Sequence, residues 1–190
     1  MNSSYQEVNV EDEEVFNKKP SVASILKQIL ICSSVWTQYF LAGLCKGAPT
    51  VFIPQIRKEA NSTDIIDSEM SSWLYSTPII SLLPWVVILP LTTKHFGRKL
   101  PQAITVIVCL IIYTILYCSK TPYHILISDC FEGYLHAYTF TVGNLIVIEY
   151  SSPKFRGLFL TIQNAGFFWG IWIANAIGTF FHWKYIAVLG

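Results

Sequence analysis

The sequence predicts an all-α membrane protein, and three observations carry that prediction. Of the 190 residues, 53% are hydrophobic and only 13% charged, whereas a soluble domain carries about 25% charged residues. The apolar residues come in runs near the roughly 20 residues that a bilayer-spanning helix needs. The loops between those runs alternate between basic-rich and basic-poor, the pattern of a chain that crosses a membrane repeatedly. A net charge of +1 gives no case for a nucleic-acid partner. The five cysteines (Cys32, Cys45, Cys109, Cys118 and Cys130) lie in or near apolar runs without metal-type spacing. They read as small buried side chains, with no metal site and no cofactor implied.

Residues 1–24 are polar, with the acidic run Glu11 to Glu14 ahead of Lys18 and Lys19, and read as a disordered cytosolic tail. No short apolar segment follows a basic start, so this is not a signal peptide. Residues 25–190 form a helix bundle. The first span runs from about Ile25 to Phe52, the second from Trp73 to Leu91, and the third from Gln102 to Cys118. The fourth covers about Tyr123–Tyr150 and the fifth Leu158–Phe181, and a sixth starts at Tyr185 and is cut off at Gly190. The tail and alternate loops hold Lys18, Lys19, Lys94, Arg98, Lys99, Lys154 and Arg156, against Arg57, Lys58, Lys120 and Lys184 on the other side. The richer side is expected in the cytosol, with the N-terminus. The loop after the first span is then outside, where Asn61-Ser62-Thr63 is an N-glycosylation acceptor pattern.

Ionisable residues inside spans are costly and usually face a bundle interior or a wet cavity. Lys46 lies near the end of the first span, and Asp129, Glu132 and His136 lie in the fourth. Spacings of three and four put those three on one helix face. Lys46 and Asp129 both fall in the outer part of the membrane. Two arrangements are open: a direct pair, or separate snorkelling to the outer interface. In the fifth span, Gly166, Gly170, Ala174 and Gly178 form a small-residue face suited to close helix packing. Asn164 and Asn175 are eleven residues apart, close to three turns, with Phe168 between them. They either line a polar pathway suited to sugars, whose hydroxyls bond amides and whose apolar faces stack on rings, or bond neighbouring helices. Pro78, Pro84 and Pro90 in the second span each remove a backbone donor, either bending that helix or leaving tolerated kinks.

Glu149-Tyr150-Ser151-Ser152-Pro153-Lys154-Phe155-Arg156-Gly157 has an acid, six residues, a base and a glycine. It resembles the loop between helices 4 and 5 of the sugar porter family of the major facilitator superfamily. Gly97-Arg98-Lys99 is similar to that family's loop between helices 2 and 3. Ser72-Trp73, Gly47-Ala48-Pro49 with Pro54-Gln55, and Gln163-Asn164-Ala165-Gly166 with Gly170 resemble helices 2, 1 and 5. The whole looks most like insect facilitated trehalose transporter-like proteins, over about residues 25–190. Departures are clear: Asp129 stands where a helix 4 arginine is usual, Ala137 where a glycine is, and His95 where arginine is common. The second span also lacks the family's glycine-rich face.

The resemblance implies the N-terminal part of the major facilitator fold, with five transmembrane helices plus the start of a sixth. It implies a multi-pass plasma-membrane carrier that moves a sugar (a hexose, or a disaccharide such as trehalose) by alternating access, as part of a longer protein. Arg98, Glu149 and Arg156 would form a cytosolic charge network that steadies one state. Asn164 stands at the family's sugar-binding position with Gln163 beside it, and these two, with Phe168 and Asn175 from the helix-face reading above, are the expected substrate-binding residues. Lys46 and Asp129 would be a charge-swapped version of the family's acid–arginine pair, with proton coupling left open. The alternative is a truncated, non-transporting paralogue or isoform that partners full-length carriers. An enzyme is not expected: there is no nucleophile–base spacing, metal set or phosphate loop.

Overall fold

The computed structural model describes residues 21–59, 66–119 and 121–182, and they are helical almost throughout. The expected tail, apart from its last residues, lies outside the described residues. So do Asn61, Lys120, Lys184 and the start of the sixth span. Helix α1 (Val22–Glu59) is followed by α2 (Ser68–Phe96), α3 (Lys99–Cys118) and α4 (Pro122–Tyr138). A π-helical turn, Thr139–Gly143, leads directly into α5 (Asn144–Tyr150), and α6 (Arg156–Phe180) follows. By length and composition α1, α2, α3 and α6 can each cross a membrane. The fourth expected span is divided by the π turn, with α4 and α5 as its two parts.

The helix ends follow from local chemistry. Asp67 caps α2, its carboxylate accepting from the Ser68 amide at 2.6 Å, which satisfies one orphan donor of the first turn. Gly97 ends α2 with φ +74° and ψ −175°, a region essentially reserved for glycine. Its N–H bonds the Thr93 carbonyl at 3.1 Å, so the chain reverses within two residues into α3. Pro122 opens α4 at a position where a missing N–H costs nothing. α1 runs beyond the expected Phe52, through Pro49 and Pro54 to Glu59. Its far end is tied down by Gln55, whose amide donates to the carbonyls of Gly178 (2.6 Å) and Phe181 (3.0 Å). Arg57 donates to the Ile66 carbonyl at 2.9 Å.

The helices pair as α1 on α6, and α2 and α3 on α4. Glycine decides the first pairing. A Cβ on Gly43 would meet the Phe167 carbonyl, and one on Gly170 would meet the Phe40 carbonyl. Gly47 lies against Ala174, and Gly178 against Val51. The small-residue face of the fifth span is thus a backbone-to-backbone contact with α1, where dispersion replaces the absent hydrophobic drive. Gly133 plays the same part between α4 and the Ser81–Leu82 backbone of α2. Large apolar side chains such as Leu30, Leu83, Val87, Leu110 and Phe180 point outward, as a lipid-facing bundle requires. All five cysteines are free thiols; Cys32, Cys45 and Cys109 are buried, but Cys118 and Cys130 are exposed, which corrects the expectation for those two.

Candidate functional site: polar clusters along the bundle

Four groups of polar residues lie along the helix bundle. At the face carrying the α2–α3 and α5–α6 turns, the Arg98 guanidinium pairs with the Glu149 carboxylate. Gly97 places Arg98 at the start of α3, and Glu149 sits in the last turn of α5. Arg156, the first residue of α6, is half-buried and makes no ion pair among the described residues; its Nε has no acceptor. Beside the pair, Gln28 of α1 accepts from the Ser152 amide (3.1 Å) and hydroxyl (2.9 Å). The second turn is thus pinned to α1 while the first is held to α5.

Deeper in, the π turn of the fourth span meets α1 and α6. The Asn144 Oδ1 accepts from the Tyr39 hydroxyl at 2.8 Å and from Gln163 Nε2 at 2.7 Å. Tyr39 also lies within hydrogen-bonding reach of the Thr139 carbonyl at the start of the π turn. Tyr138 donates to Gln102 of α3. Gly143 lies against the Tyr39 and Val35 side chains of α1, so a Cβ there would crowd them. Gln163, expected in the substrate group, is fully buried in this cluster. π turns recur at functional sites in helices, and here one connects three spans.

The third group holds the intramembrane charges. Asp129, Glu132 and His136 are all buried, at 4%, 3% and 6% exposure. Glu132 and His136 approach to 3.3 Å. Lys46 acts coulombically on all three yet forms no ion pair with any described residue. Neither expected arrangement is found: Lys46 and Asp129 make no direct pair, and Asp129 does not snorkel. Three buried titratable residues of α4 instead face a half-buried Lys46 on α1.

The last group is on α6. Asn164 and Phe168 are exposed, and the Asn164 amide bonds its own helix at Leu160 O, 2.9 Å away. Phe168 shares a shallow aromatic depression of about 390 Å³ with Ala165, Trp169 and Trp172. Asn175 is half-buried and accepts from Thr50 of α1 at 2.6 Å, so it bonds a neighbouring helix. The sequence reading did not single out Tyr39, Asn144, Gln102 or Gln28. An asparagine one residue after a mid-span glycine was the available signal for the first pair; the two glutamines carry none.

Long apolar helices, backbone-close glycine contacts and polar groups held inside the bundle define a multi-pass helical membrane protein. The sequence profile of the Major Facilitator Superfamily matches residues 35–190. The chain belongs to that superfamily of membrane transporters, and its helices are part of the major facilitator fold. No curated protein and no solved structure matches it.

Proposed function

We propose that this chain supplies the first helices of a plasma-membrane sugar carrier that works by alternating access, its N-terminus in the cytosol. The observation that carries the reading is the Arg98–Glu149 pair, which links the α2–α3 turn to the end of the fourth span. The pair lies at the turn face with side chains 28% and 45% exposed, accessible enough to break and re-form. Hydrogen-bonded arginine–carboxylate pairs are geometrically demanding, so a small helix tilt is enough to separate them. Arg156 stands at the neighbouring helix start with no ion-pair partner among the described residues, and is available to Glu149 in another state.

A sugar is the proposed cargo, a hexose or a disaccharide of the trehalose type. The support is the resemblance of the two turn motifs to sugar porters, together with the exposed Asn164 amide beside the Phe168 ring on α6. Gln163 and Asn175 support that face from within, through Asn144 and Thr50. Substrate in such carriers binds near the bilayer midplane between helix repeats. The test is uptake of labelled trehalose and labelled glucose by the complete carrier in proteoliposomes. Saturable uptake of one, lost in Glu149→Gln and competed by the other sugar or its analogues, is expected. Uptake of neither would remove the sugar assignment.

A further inference from the structure

The side of the bundle formed by α2, α3 and α4 carries an apolar cleft. Gly133 brings α4 onto the α2 backbone at Ser81 and Leu82. One turn further along α2 the Trp85 ring meets the Tyr134 ring edge-on, with centroids 5.1 Å apart, so close backbone contact gives way to ring-sized spacing. A cleft of about 360 Å³ lies there between α2, α3 and α4. Trp85, Ile88 and Leu89 of α2, Ile104 and Val108 of α3 and Phe131 of α4 line it. Its two hydroxyls are engaged: Thr92 donates to the Ile88 carbonyl at 2.9 Å and Tyr134 to the Pro101 carbonyl at 3.3 Å. What remains is hydrocarbon surface, which suits an alkyl chain and not a sugar. Ile88 and Phe131 are exposed, as are Val87 and Ile107 nearby, so the cleft opens on the lipid-facing side.

Depth and charge say what fills it. The cleft extends from Trp85 to Thr92 along α2, about 10 Å of helix rise, and α2 ends four residues later at Phe96. On α3 it starts at Pro101, two residues from the helix start at Lys99, about 3 Å of rise. The cleft therefore lies within one leaflet, the one on the side of the α2–α3 turn, whose hydrocarbon is about 15 Å deep. At that turn Lys94 and Lys99 are exposed, and neither forms an ion pair with a described residue. Among the described residues the one carboxylate at this end is Glu149, and Arg98 occupies it. An apolar cleft ending beside two uncompensated ammonium groups complements a molecule with a hydrocarbon tail and an anionic head.

We propose that this cleft is a phospholipid site: one acyl chain of an anionic phospholipid lies between α2, α3 and α4, and its phosphate-bearing head group sits on Lys94 and Lys99. α2 and α3 each pack on α4 more than on one another, and the chain fills the gap between them. It supplies the dispersion contacts that an unfilled cleft would lack. The two lysines supply the preference for a negative head group, about fivefold for each basic residue near a membrane surface. In the orientation proposed above, this leaflet is the cytosolic one, where anionic lipids are concentrated. The site itself does not depend on that orientation or on the cargo, because it is defined by the cleft and the turn alone.

The test is tryptophan fluorescence of the complete carrier in nanodiscs whose two leaflets have the same composition, so neither sugar nor topology enters the result. Trp85 lines the cleft, and its share of the emission is the difference between wild type and Trp85→Phe. A small fraction of phosphatidylserine with brominated chains, in a phosphatidylcholine background, is compared with the same fraction of brominated phosphatidylcholine. Bromine quenches the indole it touches, and Trp85 is expected to be quenched at a several-fold lower fraction of the serine lipid. Lys94→Gln or Lys99→Gln should reduce that preference about fivefold, the double variant should abolish it, and added salt should weaken it. Equal quenching by the two lipids in wild type would leave ordinary boundary lipid only and overturn the proposal. Trp85 emission that neither lipid touches would mean that protein covers the cleft, either the remaining helices of the carrier or a second copy, and would also overturn it. So would a preference that survives in the double lysine variant. A second readout needs no change at Trp85: phosphatidylserine should raise the melting temperature of the detergent-purified carrier more than phosphatidylcholine does, and the double lysine variant should lose that difference. No difference in wild type counts against the site.

Discussion

Arg98 and Glu149 are worth little as a stabilising contact. Pairs this exposed contribute at most about 1 kcal/mol, so neutralising either one should move the melting temperature of the purified carrier by only a few degrees. In the proposed carrier reading, their value is in which state they favour. Arg98→Gln or Glu149→Gln is therefore expected to depress uptake several-fold with surface expression unchanged. The charge-reversed double variant, Arg98→Glu with Glu149→Arg, should recover part of it. Uptake that tracks the loss of folded protein in every variant would reduce the pair to a packing contact. On α6, Asn164→Ala and Phe168→Ala should raise KM for the transported sugar with less effect on kcat, because both side chains are exposed and neither holds helices together. Asn175→Ala belongs to a different class: it removes the Thr50 bond between α1 and α6 and should lower thermal stability. The sequence could align the three residues on one face. It could not tell which would meet α1, since that depends on the rotation of α6.

Among the elements, the α1–α6 contact is the most sensitive to volume. Gly170 lies where a Cβ would run into the α1 backbone near Phe40 and Leu44, and backbone cannot step aside as a flexible side chain can. Gly170→Val should cost about 1–3 kcal/mol, the usual range for overpacking, and lower the melting temperature in detergent. Gly157→Val is the control, because nothing lies near a Cβ there. Gly97 is constrained differently. It has open space around it, but its φ and ψ are in the glycine-only region. Gly97→Ala should cost about 1–3 kcal/mol through backbone strain alone, read as a lower melting temperature and misplacement of Arg98. The small-residue periodicity of the fifth span was legible in the sequence because packing of this kind needs a repeat. The π turn at Thr139–Gly143 was not, because one extra residue in a helical turn leaves no periodic signature in so short a stretch. Its partners, Tyr39 and Gln163, come from other helices.

At the scale of the whole molecule, the proposed orientation puts the turn face in the cytosol and the loop bearing Asn61 outside. An N-terminal epitope tag should then be reached by antibody only after permeabilisation. Asn61→Gln should remove a glycan-dependent mobility shift of the carrier made in glycosylating cells. A tag accessible on intact cells would invert the topology and put the Arg98–Glu149 pair on the outer face.

Composition, run length and loop charge determined by themselves that this is an all-helical membrane protein, and roughly where its spans lie. A bilayer leaves few alternatives: backbone groups in hydrocarbon must bond internally, so apolar runs of this length become helices. The turn motifs were equally legible, since they are local. Only the tertiary structure decided how the polar residues group. It separated Asn164 from Gln163, one residue away and buried against Asn144. It left Arg156 out of the ion pair, and in place of a Lys46–Asp129 pair or separate snorkelling it set a half-buried Lys46 facing three buried titratable residues of α4. Those outcomes depend on helix rotation and depth, which are set by side chains meeting across the bundle and not by any periodicity within a single span.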